Sequence, residues 1–372
     1  MPTKHLSQKV HILSIINGLR YGGMERQFVE MTRFMLLHGL TIDIAVLNKP
    51  GPFSRELEAM SRVSVRYLDR RKYMIPVIII KMARFCKARG ISLIHVQDSF
   101  SAFYGLLIAR LAGVKLLNGM IRHAGVSSGS EYLWEKMLLV LSDQVLANSK
   151  AGLKFYGLTG KVIYNFINLE RFSKSSGDLS KIVMTASFSD YKDQETLLRA
   201  GRILMAEGRV SRIAFIGDGI HKARITALIK DLGLEGIVRF YGGVGNVEEV
   251  IAEYGIGVLC STKRYKEGVS NAILEYMGSG LIAIASDVGG TSEIIQHGVN
   301  GFLFEAENSK SLYMAIKHAQ DHGSKLDELR AHAIKTLNNK FNPESNCRQL
   351  LELYHAVSDE NNSKRSKSED EL

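Results

Sequence analysis

Between Glu267 and Glu275 the chain reads EGVSNAILE, and the residue types in that stretch suit one ligand site. Glu267 falls in a loop after the apolar run Ile256, Val258 and Leu259. Gly268 and Val269 lead to Ser270, which the pattern places as the N-cap of a helix opening at Asn271. The amides of Asn271, Ala272 and Ile273 are then free at a positive helix terminus, a setting that suits phosphate. Glu267, and Glu275 one turn inside the helix, are poor phosphate ligands but good acceptors for hydroxyls. A molecule with phosphate in the middle and hydroxyls at both ends, a sugar nucleotide, meets both demands.

A second candidate is the loop Asn17-Gly18-Leu19-Arg20-Tyr21-Gly22-Gly23-Met24-Glu25-Arg26, which follows the first apolar run. Gly22 and Gly23 let backbone approach a phosphate closely, and the helix opening at Met24 offers free amides. A tight turn without any ligand is the competing reading. The spacing is not G-x-G-x-x-G, so a dinucleotide site is unsupported.

After E-x7-E come Tyr276-Met277-Gly278-Ser279-Gly280 and then Ser286-Asp287-Val288-Gly289-Gly290-Thr291-Ser292-Glu293-Ile294. This composite resembles the retaining glycosyltransferases of the family 4 group, where the block reads EG-x-x-N-x-x-x-E-x-M-x-x-G followed by D-x-G-G-x-x-E-x-I. The Gly22–Gly23 loop resembles that family's G-G-x-E element, whose backbone lies beside the donor phosphates. Ala186 to Asp193 resembles G/A-R-x-x-x-x-K, in which Arg and Lys neutralise the departing diphosphate. Lys192 matches, but Ser187 stands at the Arg position, and a hydroxyl cannot replace a bidentate guanidinium. Lys263, Arg264 and Lys266 are the candidate substitutes. His123 falls where the family often has a histidine near the anomeric carbon, and Arg122 beside it is a candidate phosphate or acceptor contact. Without the resemblance, His123 reads as structural and Lys192 as an exposed lysine before a helix.

What the resemblance implies is a metal-independent, cofactor-free retaining transferase. Lys192 would stabilise the leaving diphosphate, Glu267 would orient the sugar hydroxyls, Asn271 would give its amide to phosphate, and Glu275 would hold the ribose. The implied donor is a UDP-sugar first and a GDP-sugar second, with Phe240 to Val247 at the nucleobase. The implied acceptor is a glycan or a lipid-linked glycoconjugate. A sugar-nucleotide epimerase or phosphorylase on the same frame is a competing expectation. So is a silent partner of another transferase, which the Ser187 departure keeps open.

The elements that must position these residues fall into two series of alternating strand and helix patterns. Strands are expected at Val10–Ile16, Thr41–Leu47, Val63–Leu68, Leu93–Val96, Lys115–Asn118, Gln144–Ala147 and Lys161–Ile163. A second set is expected at Lys181–Ala186, Arg212–Ile216, Val238–Tyr241, Gly257–Leu259, Ile282–Ala285 and Gly301–Phe304. The expected fold class is α/β: two Rossmann-like, doubly wound parallel-sheet domains facing a cleft, the GT-B arrangement. Residues 1–167 form the acceptor-side domain, 168–180 a linker and 181–341 the nucleotide-sugar domain. Residues 342–358 form a helix crossing back, and 359–372 a disordered tail.

Bulk numbers agree with a globular two-domain chain: 372 residues, 45% hydrophobic and 23% charged. The charge is 48 − 38 = +10. Nucleic acid is disfavoured because no zinc spacing or aromatic-basic interleaving appears. Cys86, Cys260 and Cys347 lack metal-ligand spacing and read as buried hydrophobes in a reducing, cytoplasmic setting. Met1 to Lys9 is too polar for a signal peptide, and Glu369 to Leu372 only superficially resembles a retention signal. From Arg70 to Gln97 there are cations at 70, 71, 72, 81, 84, 87 and 89 and no acid. Segment 70–90 could therefore lie on an anionic inner leaflet, or simply cover the sheet with its cations solvated.

Overall fold

The computed structural model describes residues 10–370 other than Ser127 and Ser176. The polar stretch through Lys9 and the last two residues of the tail lie outside the described residues. Two parallel sheets organise the chain. The first contains β1 (His11–Ile16), β2 (Thr41–Val46), β3 (Val63–Tyr67), β4 (Leu93–Val96), β5 (Lys115–Ile121), β6 (Gln144–Ala147) and β7 (Lys161–Val162). The second contains β8 (Lys181–Thr185), β9 (Arg212–Ile216), β10 (Val238–Gly242), β11 (Ile256–Leu259), β12 (Ile282–Ser286) and β13 (Phe302–Phe304).

These strands are near-continuous apolar runs because both of their faces are covered. In β1, Leu13 and Ile15 pack into one core while Ile12 and Ile16 pack into the core on the opposite face. In the second sheet Met184, Phe215 and Val258 face one layer, and Val183, Ala214 and Leu259 the other.

Strand order is β3-β2-β1-β4-β5-β6-β7 in the first sheet and β10-β9-β8-β11-β12-β13 in the second. Order reverses between β1 and β4 and again between β8 and β11. At such a switch point the flanking loops diverge and open a crevice at the carboxyl ends of the strands.

Three local details differ from the sequence reading. Strand β5 runs on to Ile121, which places Arg122 and His123 directly off its end. Ser270 does occupy the N-cap position, but its side chain makes no capping hydrogen bond. The final helix spans Pro343–Asp370, well past the boundary expected at 358, although Asp, Asn and Ser, weak helix formers, make up much of 359–370. Its first part packs under the first sheet through Cys347, Leu350, Tyr354 and Val357. The connection between domains is fastened rather than loose, since Arg171 bonds Glu30 (2.9 Å) on one side and Glu248 (2.7 Å) on the other.

Candidate active site

Both switch points open onto the same region. The carboxyl ends of β1 and β4 deliver the Gly22–Gly23 loop and Gln97–Asp98, and those of β8 and β11 deliver the loops ending at Lys192 and Glu267. Three short extended segments then line up side by side. His123 bridges to Glu267 and Lys192 to Ser261, both antiparallel. The Gly268 amide donates to the Arg122 carbonyl (3.2 Å), and the Ala124 amide to that of Lys266 (2.8 Å). Gly268 is required here because a Cβ would stand 2.5 Å from the Arg122 carbonyl oxygen.

Glu267 is the hub of this wall. Its Oε1 is ion-paired with Lys192 Nζ and accepts from Ser261 Oγ at 2.8 Å. The two charged side chains are only 16% and 12% exposed. Burial pushes the Glu267 carboxyl up. The Lys192 ammonium, the hydrogen bonds from Lys192 and Ser261, and His123 together outweigh it, so the group sits below the ordinary glutamate value. Tyr265 stacks on Tyr191 (3.7 Å) and leans on the His123 ring (4.9 Å). His123 Nε2 faces Glu135 at 3.8 Å, and its Nδ1 is buried without a hydrogen-bond partner.

Opposite this wall, two helix N-termini meet. The helix Gly23–Leu37 opens after the extended Gly22, and the helix Asn271–Gly278 opens after Ser270; neither carries a side-chain cap. Asn271 Nδ2 donates to the Gly23 carbonyl (2.5 Å), and its Oδ1 accepts from Asn165 (2.8 Å). A Cβ at residue 23 would come within 2.9 Å of the side-chain Nδ2 of Asn271 and 3.3 Å of its Cβ, so glycine lets that side chain sit this close. Leu274 N to Ser270 O (3.4 Å) is the first intrahelical bond, leaving the three preceding amides at the helix mouth. Two positive helix ends brought this close favour an anion beside them, and the Glu25 carboxylate, which accepts its own amide, already serves the first.

Glu275 stands one turn inside. Burial and the nearby charge of Glu248 raise its carboxyl to about 7, against the pull of Arg171 and Arg26. Beyond it, Arg26 donates to the Gly245 carbonyl (3.0 Å), and the Tyr21 ring lies against Gly243 and Gly245. A third cluster lies on the first-domain side. Arg122 donates to Gln97 Oε1 (2.7 Å) and faces Asp98 and Glu25. Burial lowers its guanidinium to about 10, opposed by those two carboxylates, and burial also raises both of them.

Of the three candidate replacements for the missing guanidinium, Lys263 turns away to Glu305 (3.1 Å), while Arg264 and Lys266 are exposed beside the wall. Ser187 itself is exposed, with its hydroxyl 3.1 Å from that of Ser189. Ser261 and Gln97 hold the site together yet were not singled out from sequence. Asp98 was equally overlooked, although its capping box with Ser101 was a readable signal. Glu293 of the D-x-G-G-x-x-E element reaches across the domains. It accepts from the amides of Lys150 (3.0 Å) and Ala151 (2.9 Å) and from the Tyr164 hydroxyl (3.0 Å). Among the described residues no group of three or more His, Cys, Asp or Glu is gathered for a metal ion.

Two Rossmann-like domains with their switch points facing one anion-ready cleft define a GT-B protein. The family described as Glycosyl transferases group 1 matches residues 166–336, and Glycosyltransferase Family 4 matches residues 21–171. The chain belongs to the family 4-type GT-B glycosyltransferases. It is 31% identical over 157 residues to the N-acetyl-alpha-D-glucosaminyl L-malate synthase of Bacillus anthracis, covering 39% of this chain and 40% of that enzyme. A second relative, from Campylobacter jejuni subsp. jejuni, is N-acetylgalactosamine-N,N'-diacetylbacillosaminyl-diphospho-undecaprenol 4-alpha-N-acetylgalactosaminyltransferase. It is 25% identical over 265 residues, covering 65% of this chain and 71% of that one. In fold the chain is similar to Anabaena Alr3699/HepE in complex with UDP-glucose, with a TM-score of 0.81 at 20% identity, covering 93% and 99% of the two chains.

Proposed function

We propose that the protein is a retaining, metal-independent glycosyltransferase that moves a sugar from a UDP-sugar to a glycan or lipid-linked acceptor. The observation that carries this reading is the pair of helix N-termini without N-cap side-chain bonds that meet opposite the Lys192–Glu267 wall, with Glu275 one turn inside the second helix. A diphosphate fits between the helix mouths, the hexose lies along the Glu267 wall and the ribose beside Glu275. UDP is favoured over GDP because HepE is bound to UDP-glucose, and a lipid-linked acceptor is in keeping with the undecaprenol substrate named for the Campylobacter relative.

In the proposed reaction the bond between the anomeric carbon and the β-phosphate oxygen breaks. The helix amides and Lys192 take up the charge that develops on the leaving oxygen. The acceptor hydroxyl attacks from the same face, and its proton passes to the departing phosphate. Glu267 has two tasks: it holds Lys192 in place and accepts hydroxyls of the donor sugar. His123, whose buried Nδ1 has no hydrogen-bond partner, would stand near the reacting carbon.

Thermal stabilisation by UDP, GDP, ADP and CMP, with Glu275→Ala as control, tests the donor site. Acceptor-dependent release of UDP in the presence of a chelator, with the product anomer read by NMR, tests the reaction. A single diphosphate shift lost in the variant, followed by chelator-resistant retention, is expected. Donor binding without transfer to any acceptor would favour a silent sugar-nucleotide-binding partner, the reading that exposed Ser187 supports.

A further inference from the structure

The first sheet carries, on the face away from the final helix, a layer of three helices: Ile75–Arg89, Ser99–Ala112 and Gly129–Val140. Their inner sides fill the core, but their outer sides are apolar too. Met74 is 71% exposed and Val77 half-exposed beside the first helix's opening turn, and Phe100 and Leu111 are exposed on the second. On the third, Leu133 is 68% and Trp134 42% exposed. The surface is continuous. Ile75, Ile79, Leu107 and Leu111 line an open groove between the first two helices. The Phe103 and Trp134 rings meet at 5.5 Å, and Arg110 donates to the Leu141 carbonyl (2.8 Å), joining the second helix to the third. A contiguous apolar face of this extent marks an interaction site.

Its rim is basic. Between Arg70 and Ser130 the sole acid is Asp98, and that carboxylate is occupied with the amides of Asn17 and Ser101. Arg70 lies over the Phe100 ring at 4.4 Å, and Arg71, Lys72, Lys81, Arg84 and Lys87 are exposed beside the apolar residues. The acids of the third helix do not offset them: Glu135 is buried toward His123, and Glu131 is half-buried. Nearby Asp143 is paired with Lys115 at 2.6 Å.

We propose that this three-helix face lies on an anionic lipid bilayer, its apolar side chains at the acyl boundary and its cations among the headgroups. Charge complementarity selects that occupant, because a second copy of the chain would set one cationic rim against another. Among the described residues no helix is long and apolar enough to cross a membrane, so the contact is interfacial. The first two helices begin at the carboxyl end of the sheet. Met74 and Phe100 therefore stand on the cleft side, and a lipid-borne acceptor would present its head beside the candidate site. The proposal stands apart from the donor assignment.

The chain contains a single tryptophan, and Trp134 sits on the face at the seam between the second and third helices, so it reports on the contact directly. The full-length protein is titrated with vesicles of phosphatidylcholine containing phosphatidylglycerol. The expected result is a blue shift of Trp134 emission with protection from a water-soluble quencher, and little of either with phosphatidylcholine alone. Lys81→Glu with Arg84→Glu is expected to cut vesicle affinity at least about 25-fold, roughly fivefold per cation lost. Leu133→Ser with Val140→Ser should abolish the blue shift while leaving charge intact. Both double variants change exposed positions only, so their melting temperatures and any UDP response should match the parent. Emission unmoved by anionic vesicles would overturn the proposal. A lipid-free, concentration-dependent shift accompanied by a dimer in sedimentation would overturn it too, assigning the face to a second copy.

Discussion

Replacing Glu275 by Gln is expected to stabilise the ligand-free protein and weaken its hold on a ribonucleotide. Burial and the charge of Glu248 raise this carboxyl from 4.5 to about 7. Above that pH the fold holds a charge that the unfolded chain solvates better. At about 1.4 kcal/mol per pH unit, the deficit reaches at most about 3 kcal/mol. For a carboxyl raised on folding, the deficit is full above about 7, shrinks as pH falls, and vanishes below 4.5, where both states are protonated. Gln is neutral throughout and escapes it. With about 2 cal/mol/K of unfolding entropy per residue over 372 residues, the variant should melt about 4 °C higher at pH 8. The gain should disappear near pH 4.5.

The same carboxylate governs the ligand in the opposite sense. On the proposed donor site an ionised Glu275 would accept from both ribose hydroxyls, whereas the amide offers one acceptor oxygen. The UDP-induced shift should therefore shrink in the variant. In the parent, UDP affinity should fall about tenfold from pH 8 to pH 6, following the ionised fraction of a group that titrates near 7. Melting curves across this pH range, with and without UDP, read both effects. A variant that melts no higher at pH 8, or keeps the full UDP shift, would refute the reasoning.

Lys192→Ala should lower turnover about 10²–10³-fold by removing charge from the leaving group, as measured by UDP release. It also strands Glu267, so stability should fall by about 3–5 kcal/mol in urea, with most of that regained in the double variant with Glu267→Gln. Ser187→Arg, at an exposed position, should leave melting unchanged and raise turnover at least about tenfold; unchanged turnover would mean another cation already serves. Glu293→Ala removes the acceptor of two helix amides and the Tyr164 hydroxyl, and should cost about 2–4 kcal/mol in denaturant unfolding; a loss under about 1 kcal/mol would show that the domains do not depend on that contact.

The sheets were legible because their strands are buried on both faces, so runs such as Ile256–Leu259 and Ile282–Ser286 stand out without knowledge of their neighbours. Lys192 and Glu267 could each be singled out from their own loops. Their mutual ion pair could not, because it depends on how the loop after β8 folds over the loop after β11. The cross-domain reach of Glu293 and the Asn165–Asn271 bond were hidden for the same reason. The helix Gly129–Val140 illustrates another limit. Leucines, a tryptophan and a methionine surround it, and periodicity alone cannot tell that Leu138 and Leu139 are buried while Leu133 and Trp134 face outward.

On the proposed function, the charges at the site bear on how a chain with serine at position 187 would stabilise a leaving diphosphate. Every side-chain cation near the cleft whose partners are described is shared with a carboxylate: Lys192 with Glu267, Arg122 with Asp98 and Glu25, and Arg171 with Glu30 and Glu248. A diphosphate arriving there does not meet free positive charge; it must share Lys192 with Glu267. The amides at the mouth of the helix Asn271–Gly278 have no acid in their first turn and are fixed by the backbone, so they cost no reorganisation when the anion binds, whereas at the other mouth the Glu25 carboxylate already accepts its own amide. Ground-state binding then rests chiefly on the helix end at Asn271, which a Ser at 187 does not disturb. The missing guanidinium should be felt instead as the glycosidic bond breaks and charge builds on the leaving oxygen. That places the effect of Ser187 in turnover rather than in UDP affinity.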